Sequence, residues 1–456
     1  MGERKIKVLL VNPWIYDFAA FDFWQKPLGL LYIGALLRQH GFEISLLDCL
    51  DRFHPWLRES SPPLGFSGFS DGSGKYHREA IDKPACLRGV PRRYCRYGIP
   101  LHMVIQQLQA TPPPDVILVT SCMTYWYPGV RDMVGLLRKI FPATPVLLGG
   151  VYATLCSDHA KEVVKPDYLI AGEGEEETLA LLRALFAIPE AGGGRLQDEW
   201  PYPAYELYPE LHSIALLTSR GCPFHCTFCA SRSLSTGYRR RSPQAVYTEL
   251  KFWYEQRAVR HVAFYDDALL HDGEHYARVL FRLLAETDWP LHFYTPNGLQ
   301  PREIDTETAD WMFRAGVTSI RLSYESSNPA RQKEMSAKVN DEELYHALSA
   351  LRQAGYQPRQ IGVYVLMGLP DQEIAEVRES VLRVNRAGFK VNLASYSPIP
   401  GTREYQKAIS MGLWKEDEDP LLANNSIYPV WRRKYPVQDI EALLAWVKQQ
   451  NERLAI

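Results

Sequence analysis

The chain has 456 residues, 46% of them hydrophobic, and a formal net charge of −2, so its length predicts about two or three domains and excludes a single small domain. The near-neutral charge gives no electrostatic reason to expect a nucleic acid partner. No run approaches the roughly 20 apolar residues of a membrane-spanning helix, and we expect a soluble, cytoplasmic protein whose eight cysteines stay reduced.

Strand and helix patterns alternate through the first 186 residues. An apolar run at 5–13 predicts a buried parallel strand, and a helical pattern at 27–41 ends at a glycine. The alternation continues with a helix near 129–141 and with strands at 42–48, 115–120, 146–150 and 168–174. Strands that alternate with helices are typical of a doubly wound, Rossmann-like α/β sheet, which we predict for residues 1–186.

Four loops follow predicted strands of this sheet, at 12–16, 121–129, 149–154 and 172–176. In doubly wound sheets, ligands bind beyond the carboxyl ends of the strands. Glycines in such loops let the backbone approach a ligand closely, although each loop alone is also an ordinary strand-to-helix turn. Their repetition predicts that the four loops line one crevice.

Two segments break the alternation. Residues 51–100 are rich in Pro, Gly, Ser and Arg and follow neither period, which predicts a functional or disordered insertion. Their aromatic and basic content favours an ordered lid or substrate-facing element over disorder. Residues 187–211 contain three consecutive glycines and then a Pro-Tyr-Pro sequence, a composition typical of an interdomain linker.

Three cysteines follow a predicted strand at 214–218 with the spacing C-x3-C-x2-C: Cys222, Cys226 and Cys229. Three thiolates from one loop can hold three irons of a 4Fe-4S cluster and leave the fourth iron open to a substrate or cofactor. A zinc site normally has four ligands, and three clustered cysteines cannot all pair as disulfides. Because Gly221 and Pro223 indicate an exposed turn rather than buried thiols, the pattern favours the cluster.

Residues 212–402 contain six strand-like runs separated by helical segments, at 214–218, 261–266, 291–295, 319–324, 361–367 and 391–395. Six βα units predict a partial (β/α)6 barrel, with its chemistry at the carboxyl ends of the strands. Those ends carry a set of polar residues and one glycine: Asp266, Asp267, Asn297, Ser323, Glu325 and Gly368. Residues 403–456 predict a small, mainly helical C-terminal cap.

The cysteine loop resembles the defining motif of the radical S-adenosylmethionine (SAM) superfamily. The resemblance implies that SAM binds the open iron and that one electron cleaves it to a 5'-deoxyadenosyl radical. It also implies that Asp267 and its neighbours lie near the SAM amino group and Glu325 near the ribose hydroxyls, with the other strand-end residues in the same site. Helix N-capping is the alternative role for Asp266 and Asp267.

The motifs before the cysteine loop resemble the cobalamin-binding domain of one large radical SAM subclass. They are Asn12-Pro13, the run 27–34, Gly149-Gly150 and the run 172–176. The resemblance implies cobalamin contacts from eleven loop residues: Asn12, Pro13, Ser121, Thr124, Tyr125, Trp126, Gly149, Gly150, Gly172, Glu173 and Gly174. The first 200 residues lack the motif Asp-x-His-x-x-Gly, which is consistent with cobalamin bound without a histidine on cobalt. Tyr125 and Trp126 are candidates for the lower corrin face, with plain packing as the alternative.

Together these resemblances imply a cobalamin-dependent radical SAM enzyme similar to the class B methyltransferases. One SAM would supply the methyl group of methylcobalamin, and a second would generate the radical that opens an unactivated carbon. A rearrangement, oxidation or ring formation with the same cofactors stays open, whereas a non-catalytic cobalamin or SAM sensor needs no open iron. We expect a small-molecule or peptide substrate and an electron donor such as flavodoxin or ferredoxin.

Overall fold

The structure is a computed structural model that describes residues 4–59, 71–189, 201–335 and 339–454. The chain forms two compact units. The first consists of Met1–His212 with Asp419–Leu422, and the second of Ser213–Glu418 with Ala423–Ile456. Of the predicted linker at 187–211, residues 190–200 lie outside the described residues. No helix within the described ranges is long and apolar enough to cross a membrane.

The first unit contains strands and helices in alternation. Its strands are β1 (Lys7–Asn12), β2 (Ile15–Asp17), β3 (Phe21–Asp22), β4 (Glu43–Asp48), β5 (Gly74–Lys75), β6 (Arg78–Ala80), β7 (Cys95–Tyr97), β8 (Val116–Val119), β9 (Val146–Leu148) and β10 (Tyr168–Leu169). Its helices are α1 (Leu28–Gln39), α2 (Pro55–Glu59), α3 (Leu101–Ala110), α4 (Tyr127–Ile140), α5 (Val151–Leu155), α6 (Ser157–Val163) and α7 (Glu175–Leu185).

Five of these strands form one parallel sheet in the order β10-β9-β8-β1-β4. Counted along the chain, this is the doubly wound order 2-1-3-4-5, in which the chain changes direction between its first and third strands, β1 and β8. Val8, Leu10 and Leu118 of these two central strands are buried in the core with Leu30 of α1. The predicted doubly wound parallel sheet is confirmed, and β1 and β8 define its switch point.

The insertion at 51–100 contributes short antiparallel strands rather than an irregular loop. Its strand β7 lies between β6 and β2, and β2 comes directly after the loop that follows β1. The Tyr94 hydroxyl donates to the carbonyl of Tyr16, and the Trp14 indole donates to the carbonyl of Ile99, at 3.1 and 2.6 Å. These contacts fix the described part of the insertion against the rim of the sheet; residues 60–70 lie outside that part.

The second unit continues the alternation. Its strands are β11 (Ser213–Leu216), β12 (Ser219–Arg220), β13 (Arg239–Arg240), β14 (His261–Phe264), β15 (His292–Tyr294), β16 (Val317–Glu325), β17 (Ile361–Met367) and β18 (Lys390–Ser395). Its helices are α8 (Ser231–Leu234), α9 (Pro243–Arg257), α10 (Arg278–Ala285), α11 (Thr306–Arg314), α12 (Pro329–Glu334), α13 (Asp341–Gln353), α14 (Ile374–Arg386), α15 (Arg403–Ser410) and α16 (Val437–Arg453).

Six strands of this unit form a parallel sheet in chain order, β11-β14-β15-β16-β17-β18. Each strand pairs with its neighbour in sequence, as in successive βα units of a barrel. The edge strands are β11 and β18, so the sheet is an open arc. The six predicted βα units are confirmed, and the carboxyl ends of all six strands lie along the same edge.

Helix α16 packs on the second unit through its apolar face. Ile440, Leu443 and Val447 are buried, and Asn451 forms hydrogen bonds with both backbone polar groups of Val391 at 3.0 and 2.8 Å. The Trp431 side chain is fully buried, and its indole donates to the carbonyl of Leu369 at 3.1 Å. Trp431 is therefore a packing residue of this unit.

Candidate functional site

The three cysteines lie in the loop that joins strands β12 and β13. These strands form an antiparallel pair, in which Ser219 faces Arg240 and Arg220 faces Arg239. At the base of the loop Gly221 has φ +72°, and a Cβ there would overlap the carbonyl oxygen of Gly237. Glycine is therefore required for the two sides of the loop to approach this closely.

The donor chemistry of the loop fits a 4Fe-4S cluster with one open iron. Its three thiols come from Cys222, Cys226 and Cys229, whereas the other five cysteines all belong to the first unit. Among the described residues, no group of three His, Cys, Asp or Glu side chains is already arranged as a metal site. The loop supplies the ligands in sequence, and binding iron would deprotonate and gather them.

The pKa is raised for two of the thiols in the loop. Burial raises the pKa of Cys222 to about 11, with the negative charge of Asp267 contributing in the same direction. Desolvation by the surrounding loop also raises the pKa of Cys229, although this residue is exposed overall, and its sulfur lies 3.1 Å from the hydroxyl of Ser231. Because metal ligation needs thiolates, these shifts favour protonated thiols until a metal binds.

Asp266 anchors the chain immediately before the cysteine loop. Its carboxylate is buried and accepts hydrogen bonds from the backbone N–H and hydroxyl groups of Thr218 and Ser219, at 2.6 to 3.1 Å. Burial raises its pKa to about 6, although these hydrogen bonds act in the opposite direction. Asp266 therefore uses its carboxylate to hold the end of β11 and the start of the cysteine loop together, and not to cap a helix.

Two amides join the loops that follow β14 and β15. The Asn297 amide donates to the carbonyls of Tyr265 and Asp266 at 3.0 and 3.2 Å, and the Gln300 amide donates to the carbonyl of Asp267 at 3.3 Å. The side chain of Asp267 is exposed, and its backbone carbonyl lies 4.0 Å from the Cys222 sulfur. The last contact brings Asp267 to the cysteine loop, and the two amides hold the loop after β15 against Asp267 and its neighbours.

The end of β16 has an unusual backbone. Glu325 has φ +68°, and the register between β16 and β17 shifts between Ser323 and Glu325. A non-glycine residue in this conformation is strained and is a frequent feature of functional sites. A small cavity beside it is lined by Glu325 together with Phe228 of the cysteine loop. The structure therefore brings Glu325 next to the cysteine loop.

Two glycines permit close approaches along the same edge. A Cβ on Gly298 would overlap the hydroxyl of Ser323, which is itself buried. Gly368 has φ +100° at the end of β17, and its N–H donates to the Gln372 side-chain oxygen at 3.0 Å. Ser323 and Gly368 thus lie at strand ends as predicted, in contacts that shape the backbone.

The first unit has a cavity of about 250 Å³ at its topological switch point. Its walls come from the loops after β1 and β8 and from the first turn of α1. Five of the eleven predicted cobalamin residues line it: Asn12, Pro13, Ser121, Trp126 and Gly150. The lining contains no histidine, so within this cavity nothing offers an imidazole ligand.

Hydrogen bonds fix these lining residues. The Asn12 amide donates to Asp48 at 2.7 Å, and the Trp126 indole donates to Asp17 at 2.6 Å. The Ser121 hydroxyl donates to the carbonyl of Gly149 at 2.7 Å and accepts from the N–H of Ala153 at 3.2 Å. Side-chain hydrogen bonds therefore hold the loops after β1, β8 and β9.

Six predicted residues do not line the cavity. Thr124 and Tyr125 are buried in the turn behind Trp126. Gly149 lies behind Ser121, and Gly172, Glu173 and Gly174 follow β10 at the edge of the sheet. Because β9 separates β10 from β8, the last loop is two strands away from the switch point.

Other lining residues were not among the eleven predicted cobalamin contacts, although Trp14, Cys122 and Val151 lie in loops that were predicted to line the crevice. They include Trp14, Leu50, Cys122, Val151 and the segment 25–29, in which the Gln25 amide contacts the Cys122 sulfur at 3.2 Å. The sequence did contain a signal for 25–29, because the run 27–34 was one of the motifs of the N-terminal resemblance. A helix N-terminus that opens on the switch point is the usual ligand-facing element of this fold.

Two family models match the chain, one in each unit. The family model described as the radical SAM superfamily matches residues 216–384, and the model described as the B12 binding domain matches residues 93–182. The chain contains a radical SAM domain and a B12 binding domain. Cys222, Cys226 and Cys229 all lie within the radical SAM match, and the loop after β8 lies within the B12-binding match.

Curated relatives of this radical SAM protein align along most of its length. Cytidylyl-2-hydroxyethylphosphonate methyltransferase of Streptomyces wedmorensis is 24% identical over 91% of this chain and 84% of its own length. An uncharacterised methyltransferase of Pyrococcus horikoshii is 23% identical over 75% of this chain and 77% of its own length.

Solved structures share the fold. The radical SAM methyltransferase TsrM of Kitasatospora setae, with cobalamin and a [4Fe-4S] cluster bound, superposes with a TM-score of 0.65. It is 16% identical, and the match covers 95% of this chain and 92% of TsrM. The cobalamin-dependent radical SAM enzyme OxsB has a TM-score of 0.58 over 91% of this chain and 56% of its own. The chain therefore shares its fold with these two enzymes over most of its length.

Proposed function

We propose that this protein methylates an unactivated carbon of a small molecule, using SAM, a 4Fe-4S cluster and cobalamin. The observation that carries the proposal is the loop with Cys222, Cys226 and Cys229 at the ligand edge of a radical SAM sheet, in a chain that also has a B12-binding domain. Methyltransferases among the relatives and fold neighbours support methylation over rearrangement, oxidation or ring closure. The substrate is a small molecule, as tryptophan is for TsrM.

Each residue has a distinct part in the proposed SAM site. The three thiolates hold the cluster, and Asp267 and Asn297 present polar groups beside it. Glu325 accepts hydrogen bonds from ribose hydroxyls, because a carboxylate is acceptor-only when ionised. Gly368 keeps the backbone open at the next strand end, and Asp266 holds the loop itself. When bound, the cluster would supply the electron that cleaves SAM, and cobalamin would carry the methyl group.

The cavity at the switch point is the proposed contact surface for cobalamin. The Trp126 ring, Pro13 and Leu28 offer apolar surface to a corrin, and Gly150 lets the backbone approach. Within the lining, which has no histidine, cobalt would have no imidazole ligand from the protein. Residues 1–186 form the cobalamin domain in this proposal, residues 212–402 the radical SAM domain, and 403–456 the cap.

General chemistry supports two further parts of the proposal, the electron donor and the cellular compartment. Reductive cleavage of SAM needs a low-potential electron, which points to flavodoxin or ferredoxin as the donor. Exposed and half-buried thiols that serve as cluster ligands need a reducing compartment, which points to the cytoplasm.

The test is anaerobic reconstitution with iron, sulfide and cobalamin, followed by reductant and SAM. We expect 5'-deoxyadenosine and S-adenosylhomocysteine to form together, with cobalamin retained on the protein. Deoxyadenosine alone would exclude methylation and favour rearrangement or ring formation. A protein that binds both cofactors and forms neither product would instead be a sensor.

A further inference from the structure

Glu404, in the first turn of α15, is a buried carboxylate directly behind the cysteine loop. Glu404 is fully buried, and neither of its carboxylate oxygens accepts a hydrogen bond from the described residues. Its backbone N–H donates to the carbonyl of Thr227, between Cys226 and Cys229, at 3.0 Å. Burying a carboxylate without donors is costly, so its retention needs a reason.

The nearest cation to Glu404 is shared. The Lys407 ammonium lies 3.4 Å from Glu404, but it also lies 2.8 Å from Glu334 and 3.3 Å from Asp371. Asp371 in turn contacts Arg331, whose guanidinium is paired with Glu376. This ion-pair network therefore contains four carboxylates and two cations, and Glu404 is its member beside the cysteine loop.

Two nearby polar side chains, Thr227 and Tyr396, do not compensate the charge of Glu404. The Thr227 hydroxyl is buried, and it too has no partner among the described residues. Burial raises the pKa of Tyr396, and the charge of Glu404 adds to this shift. The loop thus has behind it a buried carboxylate that no hydrogen-bond donor of the described residues contacts and whose cation, Lys407, is shared with two other carboxylates.

We propose that Glu404 lowers the reduction potential of the cluster held by Cys222, Cys226 and Cys229. Reducing a cluster adds negative charge, and a fixed carboxylate nearby opposes this addition. A lower potential makes the reduced cluster a stronger donor to SAM. Glu404 is a tuning residue that acts on the cluster through space, and the inference rests on the proposed cluster site.

The experiment compares reduction potentials of reconstituted holoprotein by EPR-monitored titration. Glu404→Gln keeps the shape and removes the charge, and we expect about tenfold more reduced cluster at a fixed potential, equivalent to about 59 mV for one electron. Glu334→Gln is the matched control. It removes the charge of another carboxylate that contacts Lys407, but the Glu334 side chain is 40% exposed. Solvent screening should leave its potential close to the wild-type value.

Lys407→Met tests the proposal from the opposite direction. It removes the cation that partly compensates Glu404, so we expect the potential to fall. An unchanged potential in Glu404→Gln with a full complement of iron would overturn the proposal. If Glu404→Gln cannot hold iron, an unchanged reduction potential in Lys407→Met overturns the proposal. Loss of iron in both variants also overturns the proposal. Failure of the wild-type protein to cleave SAM would count against the proposed function, since the potentials are measured without SAM.

Discussion

The two cofactor regions of this protein are built in different ways. The cysteine loop places three thiols within the eight residues 222–229, and one strand pair and one buried aspartate hold it. The cavity of the first unit is assembled from segments at 12–15, 25–29, 120–122 and 150–151, which only the strand order brings together. A contiguous site depends on its own side chains, whereas an assembled site depends on the backbone turns that align its parts.

The largest expected effect is on the contiguous site. Cys226→Ala removes one of three iron ligands, so we expect iron content and deoxyadenosine formation to fall to background, with cobalamin binding retained. Cys86→Ala, which removes an exposed thiol of the first unit, is the control and should change neither. Full deoxyadenosine formation by Cys226→Ala would remove the central assignment.

The assembled site should be most sensitive at a turn. Gly150 has φ +94°, and a Cβ there would overlap the carbonyl oxygen of Ser121. Gly150→Ala should therefore lower the free energy of unfolding by ~2–4 kcal/mol and weaken cobalamin binding. Gly135→Ala is the control, since Gly135 lies in α4 with open space around it and alanine is favoured there. Urea unfolding and cobalamin titration followed by absorbance measure both effects.

Filling the cavity separates binding from folding. Gly29 lies in the first turn of α1, lines the cavity and has no atom within 4 Å of a built Cβ. We expect Gly29→Leu to leave the urea midpoint unchanged and to raise the cobalamin Kd at least about tenfold, or about 1.4 kcal/mol. Gly135→Leu adds the same side chain on an exposed helix face. Equal cobalamin affinity in the two variants would mean that cobalamin binds elsewhere.

The sequence predicted the contiguous cysteine loop more completely than the assembled cavity. The cysteine spacing predicted the ligands of the contiguous loop without any tertiary information, and hydrophobic patterns located all five strands of the first sheet and all six of the second to within a few residues. The four loops of the first sheet looked equivalent, because sequence order does not say that β10 lies at the edge. The partners of Asp266 and the left-handed backbone of Glu325 also depend on tertiary contacts with other strands, which no local pattern encodes.

The smallest expected effect is a pH dependence of the free energy of unfolding. It can be compared between the two units, because each has a buried carboxyl with a raised pKa. Burial raises the pKa of Asp51 in the first unit and of Asp266 in the second to about 6, from an ordinary value of 3.8. Since each folded carboxyl binds its proton more tightly than the unfolded one, its contribution to stability is present below about pH 3.8 and is lost as the pH rises through about 6. The loss is on the order of 1–3 kcal/mol for each group.

Replacing either carboxyl with an amide should remove its share of this dependence. The free energies of unfolding of wild type and Asp51→Asn are measured in urea from pH 4 to pH 7. As the pH rises, we expect the wild-type protein to lose stability relative to the variant. Asp266→Asn should show the same trend from a less stable start, because its amide cannot accept all the hydrogen bonds from Thr218 and Ser219. A difference that is constant with pH for Asp266→Asn would mean that this carboxyl is already ionised throughout, so that the hydrogen bonds at the base of the cysteine loop outweigh its burial.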